Sequence, residues 1–246
     1  MQVRFTTNLK NILQKDEKRA LLISATGTGK TYASAFAMRE LGFKRVLFIV
    51  HRASLAVQAK KSYQRVFGNS VSMGLVGAGY YEYDKDYVFA TVETLNKDAH
   101  LQQYKVDDLD EAHHSSANTY QKVMNYFMSR LFLGMTATPD KRTDSDDNIY
   151  EIFNHQIAYE IRLQQAMEEE LLCPFHYFGI TDLSVVQDTK SKNLSHEEFN
   201  KLVCDERVEH ILEQANYYGY SGERVKGLVF CSRKQECQQL SAKFNE

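Results

Sequence analysis

Cysteine, proline, long apolar runs and net charge are all scarce in this chain of 246 residues, and each scarcity excludes something. The four cysteines, Cys173, Cys204, Cys231 and Cys237, stand 31, 27 and 6 positions apart, so no CxxC pair is present to hold zinc or to act as a redox couple. They read as reduced cysteines of an intracellular protein. No apolar run approaches the length that crosses a bilayer, and the opening MQVRFTTNLKNIL lacks the continuous apolar centre of a signal peptide. A soluble, cytoplasmic chain with no membrane partner is expected. The formal net charge of −2 offers no global electrostatic footprint for nucleic acid. Hydroxyls and amides that grip a phosphate backbone need no large net charge, however, so the motifs decide that question.

What is present suits a folded α/β protein. With 43% hydrophobic and 25% charged residues, the chain can build one large or two modest cores. Short apolar runs at 20–23, 46–50, 87–90 and 131–135 read as strands, and amphipathic patterns at 32–41, 55–67 and 120–128 read as helices. This alternation predicts βα units and a mostly parallel, doubly wound sheet. The two prolines mark breaks: Pro139 follows the run at 131–135, and Pro174 opens an aromatic run at 175–180 that reads as a further strand. Residues 226–231 and 232–244 again read as strand then helix. A first domain over 1–160 is therefore expected, with 161–246 forming a linker and the unfinished start of a second domain.

The run Ser24-Ala25-Thr26-Gly27-Thr28-Gly29-Lys30-Thr31 lies between an apolar strand and a helix, the context in which a phosphate loop is credible. Gly27 and Gly29 let the backbone turn its N–H groups inward, with Thr26 and Thr28 completing the loop. The helix N-terminus adds partial positive charge, and the Lys30 ammonium can reach the β and γ phosphates of a nucleotide. Thr31 supplies a hydroxyl for Mg²⁺. The strict pattern has glycine at position 24, where this chain has serine. The bland alternative is a glycine-rich turn with a chance lysine.

Asp110-Glu111-Ala112-His113 supplies adjacent carboxylates with distinct tasks in phosphoryl transfer, Asp110 for the magnesium shell and Glu111 for orienting and deprotonating water. It stands about eighty residues after the phosphate loop and about twenty-five before Thr136-Ala137-Thr138-Pro139. The segment just before it, residues 104–109, carries three charges in six positions and reads as a poor strand.

In this order and spacing, GTGKT, DEAH and TATP resemble motifs I, II and III of superfamily 2 helicases. Phe48-Ile49-Val50-His51-Arg52 resembles motif Ia, Phe89-Ala90-Thr91-Val92-Glu93-Thr94-Leu95 motif Ib, and Lys226-Gly227-Leu228-Val229-Phe230-Cys231-Ser232 motif IV. The strings DEAHHSSANTYQKV, LGMTATPDKRTD and AYEIRLQQAMEEELLCPFHYFGITDL look most like the bacterial group of type I and type III restriction motor subunits and excision-repair helicases. The resemblance implies RecA-like P-loop domains with ATP and Mg²⁺ in the cleft and nucleic acid across both domains. It implies His113 relaying nucleotide state to Thr136 and Thr138. It also makes Arg52, Thr91 and Thr94 the best candidates for nucleic-acid phosphates, although Thr94 serves equally as an ordinary helix cap. No segment resembles motifs V and VI, which carry the arginine finger, so the remainder of the second domain is an expected partner. The adenine-recognising aromatic–glutamine element is not recognisable in Arg4-Phe5-Thr6-Thr7-Asn8. The aromatic stretch at 80–87 reads as a surface loop, and Glu168-Glu169-Glu170 as a solvated helix face.

An ATP-driven motor on duplex DNA is the leading expectation. An RNA-directed helicase or sensor, and a nucleotide-binding interaction module that never moves along a strand, are the alternatives.

Overall fold

The computed structural model describes residues 1–97, 108–110, 124, 126–127, 129–139, 148–180, 203–220, 222–223, 226–231 and 233–245. Two compact units divide the chain, Met1–Phe175 and His176–Glu246. The first opens with α1 (Gln2–Gln14), β1 (Arg19–Ser24), α2 (Lys30–Leu41), β2 (Val46–Val50) and α3 (Ala53–Phe67). It continues through β3 (Met73–Gly77), β4 (Tyr80–Tyr81), β5 (Tyr87–Thr91), α4 (Val92–Lys97), β6 (Asp108–Asp110), β7 (Leu131–Thr136) and β8 (Ile157–Ile161).

Among the described residues these strands form one eight-stranded sheet in the order β4-β3-β5-β2-β6-β7-β1-β8. Every neighbouring pair is parallel except β3 with β4. Alternate residues of β1, β2, β5 and β7 feed two separate apolar clusters: Leu22, Phe48, Phe89 and Leu133 join one, and Leu21, Leu47, Val88 and Phe132 the other. A sheet covered on both faces needs strands that are apolar throughout, which is why these four are continuous runs in the sequence.

The first cluster takes in α1 through Phe5, Leu9 and Ile12, spaced by four and three residues along one helix face. Arg4-Phe5-Thr6-Thr7-Asn8 is thus helical; Phe5 is fully buried and Asn8 Nδ2 donates to Ala158 O of β8 at 2.9 Å. The same cluster holds Phe48, Tyr63, Phe67, Tyr87 and Phe89 in edge and stacked contacts. Its buried tyrosines are satisfied, since Tyr63 OH bonds Ser34 Oγ at 2.9 Å and Tyr87 OH donates to Phe43 O at 2.7 Å.

β6 is the weak member expected from its charges, only three residues long, yet it sits in mid-sheet between β2 and β7. Of the helix expected at 120–128, Met124 and Tyr126 are helical, Phe127 is buried but not helical, and the other residues lie outside the described ones. The stretch at 80–87 is exposed at Tyr80 and Tyr81, which form the short strand β4. Glu168, Glu169 and Glu170 are exposed, at and beyond the end of the helix Leu163–Glu168.

Two expected strands are corrected. Residues 175–180 and 226–231 have no strand conformation and pair with no strand among the described residues. Tyr177, Leu228 and Phe230 are 87%, 86% and 91% exposed, so these apolar runs have neither a ladder neighbour nor a buried face to make them strands. Within the second unit, the helices Asp205–Tyr218 and Lys234–Lys243 contribute Val208 and Leu240 to a small cluster with Val203, and Arg207 pairs with the buried Glu236 at 3.5 Å.

Gly134 in β7 tests the packing directly. A Cβ there would lie 2.6 Å from Phe153 Cζ and 2.8 Å from Leu21 Cδ2, inside a close-packed core. Gly134→Ala is expected to lower stability by about 1–3 kcal/mol in urea unfolding, the usual cost of overpacking. An unchanged midpoint would contradict the seat of Phe153 against this strand.

Candidate functional site

Because β5, β2, β6, β7, β1 and β8 run parallel, their C-terminal ends open on one edge of the sheet, the edge where α/β sheets hold ligands. The sequence-singled residues divide along that edge into two groups with the acidic strand between them.

The first group surrounds the end of β1. Gly27 and Gly29 have φ of 90° and 85°, conformations that favour glycine. Gly29 is the N-cap of α2 and brings no side chain to cap it, and the first turn holds no acidic residue, so no side-chain carboxylate offsets the positive end of the helix dipole there. Around Gly29 a Cβ would meet nothing within 4 Å, so the mouth of the loop is open on that side. On the other, a Cβ at Gly27 would lie 3.1 Å from Leu172 Cδ2. Lys30 Nζ donates to Ser24 O at 2.8 Å and Ala25 O at 3.2 Å, which folds the ammonium across its own loop. Thr26 is exposed; Thr28 and Thr31 are half-buried.

Ser24, where the strict pattern has glycine, has a clear task. It is fully buried at the end of β1, and its hydroxyl bonds that of Thr28, which also donates to Ala25 O at 2.7 Å. The serine braces the loop from below at a position with no positive φ to demand glycine. In the sequence Ser24 stands out only as a departure from the glycine pattern, and the folded loop is what brings the Ser24 and Thr28 hydroxyls together.

Thr136 ends β7 in register with Ile23 of β1, one strand from the phosphate loop. It is buried, and its Oγ1 accepts the Thr138 N–H at 3.1 Å, a local side-chain turn that fixes the exposed Thr138. Asp110 ends β6, its backbone in register with Phe48 on one side and Leu133 on the other. Glu111 and His113 lie outside the described residues.

The second group surrounds β2 and β5. Val50 is in register with Thr91, which brings exposed Arg52, at the N-cap of α3, to the same end of the sheet as Thr91 and Thr94. The Thr91 and Thr94 hydroxyls bond each other at 2.8 Å, and Gly77 backs them from β3.

Ser24→Gly, which restores the strict pattern, is expected to cost about 1 kcal/mol in urea unfolding, through the lost hydroxyl pair and the added backbone freedom. A variant as stable as the parent would show that the brace contributes nothing.

Comparison with known proteins places this geometry in a family. The family described as type III restriction enzyme, res subunit, matches residues 1–141, more than half of the chain. A type I restriction enzyme EcoAI endonuclease subunit of Escherichia coli is 26% identical over 255 residues, covering 91% of this chain and 31% of that protein. A putative ATP-dependent helicase, IRC3 of Saccharomyces cerevisiae, is 26% identical over 262 residues, covering 96% of this chain and 37% of that protein. The chain thus spans about a third of the length of these relatives. A solved structure of the type ISP restriction-modification enzyme LlaGI, a nuclease-deletion mutant in complex with a DNA substrate mimic, superposes with a TM-score of 0.56 at 18% identity, covering 87% of this chain and 22% of that one. That likeness establishes the fold, and it agrees with the RecA-like α/β expectation. With the family matched over residues 1–141, the chain belongs to the family described as type III restriction enzyme, res subunit.

Proposed function

We propose that this chain is the nucleotide-binding motor part of an ATP-dependent translocase acting on duplex DNA. The observation that carries the reading is the order along one sheet edge: phosphate loop after β1, Thr136 and Thr138 after β7, Asp110 at the end of β6, then Arg52 after β2 and Thr91 at the end of β5. A nucleotide site at one end and a backbone-gripping site at the other are what a motor needs.

The loop fits a nucleotide polyphosphate. It has glycines at positive φ, an uncapped helix N-terminus and a lysine whose ammonium is held at the loop by two carbonyls. Thr26, Gly27, Thr28 and Gly29 would line the phosphates of ATP, with Lys30 supplying charge to the β and γ oxygens. Thr31 and Asp110 would hold Mg²⁺, which neutralises charge on those oxygens when bound. Glu111 would take a proton from the attacking water. His113 would relay the outcome to Thr136 and Thr138. Duplex DNA as the track is supported by the restriction-enzyme relatives and by the DNA substrate mimic in the LlaGI structure. Residues 161–246 would form a linker and the start of the second RecA-like domain.

Lys30→Ala is expected to weaken Mg·ATP binding by at least about tenfold, because it removes the one side-chain charge assigned to the terminal phosphates. Equal affinity in a fluorescent-nucleotide titration would remove the phosphate-loop assignment. Glu111→Gln, in a protein that also carries a complete second domain, is expected to keep binding and lose hydrolysis by roughly 10²–10⁴-fold, the usual contribution of a general base. Retained hydrolysis would place the base elsewhere.

The 246 residues alone are expected to hydrolyse ATP scarcely at all, even with saturating duplex DNA. Arginine fingers contribute on the order of 10³–10⁵ in rate, and no segment here resembles the motif that carries one. Steady-state phosphate release compared across duplex DNA, single-stranded DNA and RNA tests this. Robust turnover stimulated by duplex DNA would contradict the need for a finger from outside, and stimulation by RNA alone would contradict the choice of track.

A further inference from the structure

Gly77 stands at the end of β3, beside β5, where Val76 is in register with Ala90. It begins a turn of three consecutive positive-φ residues, Gly77 at 120°, Ala78 at 50° and Gly79 at 89°, that leads into β4. The hairpin is pinned. Glu82 N–H donates to Leu75 O at 3.0 Å, Glu82 Oε2 accepts the Leu75 N–H at 2.8 Å, and Lys60 pairs with the same carboxylate at 3.6 Å. Gly77 therefore cannot back away from its neighbours.

Those neighbours are the two threonines. A Cβ on Gly77 would lie 2.7 Å from Thr91 Oγ1, 3.1 Å from Thr94 Oγ1 and 3.3 Å from Thr91 Cγ2. The paired hydroxyls occupy the volume that any side chain at position 77 would need. Thr91 is β-branched and buried, so its χ1 has little room to adapt. We propose that Gly77 is a positioning residue for nucleic-acid binding: its missing side chain lets the Thr91 and Thr94 hydroxyls lock together as one phosphate-contacting unit. The inference rests on the proposed role of those two threonines. A glycine needed only for the turn is the competing explanation, and Gly79 separates the two. It shares the positive φ of the turn but has nothing within 4 Å of its would-be Cβ.

The test uses the 246-residue chain and a short fluorescein-labelled DNA duplex, read by anisotropy, with Mg·ATP affinity and thermal unfolding measured on the same samples. Gly77→Ala is expected to weaken duplex binding by about tenfold, the scale of one hydrogen bond to a charged group, while ATP affinity stays within about twofold. Gly79→Ala, strained in the same turn, is expected to stay within about twofold on both. Equal loss in the two variants assigns Gly77 to the turn alone and overturns the proposal. Thr91→Val and Thr94→Val are run alongside. Loss in these with none in Gly77→Ala overturns the proposal but leaves the threonine contacts standing. No loss in either, or no duplex binding by the parent chain, removes the contacts themselves and the proposal with them.

If Gly77→Ala fails to unfold cooperatively, Gly77→Ala with Thr91→Ser is compared with Thr91→Ser alone. The shorter side chain relieves the methyl contact and turns its hydroxyl away from the added Cβ. Weaker duplex binding in the double variant supports the proposal, and equal binding overturns it. Failure of the double variant to fold while Gly79→Ala folds gives Gly77 a purely structural role and overturns it too.

Discussion

The parallel ladder β5-β2-β6-β7-β1 is the constraint on which every other feature depends. Parallel pairing sends each strand's C-terminal end to the same edge, so segments scattered from Ser24 to Thr138 in sequence become neighbours a few strand spacings apart. The ladder survives a poor central member because its flanks are strong. β2 is apolar and buried throughout, β1 is buried from Ala20 to Ser24 with an apolar run at 20–23, and β6 joins the sheet between β2 and β7 through the three residues Asp108–Asp110.

From that edge the phosphate loop is assembled by local chemistry. Ser24 anchors Thr28, Gly27 and Gly29 supply the left-handed turns, and the carbonyls of Ser24 and Ala25 hold the Lys30 ammonium over the loop. The lysine is thereby held at the loop by the backbone itself, its ammonium already beside the turn that Gly27 and Gly29 make. Leu172 touches the same loop at Gly27 from the chain that follows β8. At the far end, Thr91 and Thr94 pair their hydroxyls against a glycine that makes room for them.

How much of this is legible without coordinates depends on whether the information is local. The phosphate loop, the acidic motif and the Thr-Ala-Thr-Pro turn are short strings whose chemistry lies within a few residues, and the doubly buried strands announce themselves as unbroken apolar runs. β3, with glycine at both 74 and 77, and the edge strand β8, with exposed Ile157 and Glu160, lack that signature. The opposite error arises at 175–180 and 226–231, where apolar composition suggests strands but no neighbour completes a ladder. The Ser24 brace and the Gly77 contact are invisible for a third reason. Each depends on which side chain a glycine or serine meets once the sheet has formed, and nothing in the spacing of residues 24 and 28, or 77, 91 and 94, encodes those distances.

A nucleotide bound at the β1 end of this edge, as proposed, is expected to be felt at the β7 end beside it. Hydrogen–deuterium exchange with and without a slowly hydrolysed Mg·ATP analogue reads both places in one measurement. Protection is expected in peptides spanning 24–31 and 131–139, with the hairpin at 73–82 unchanged, because the first two share the β1–β7 boundary and the third lies across the sheet. Protection confined to other segments, or none in 24–31 at nucleotide concentrations that saturate binding, would contradict it.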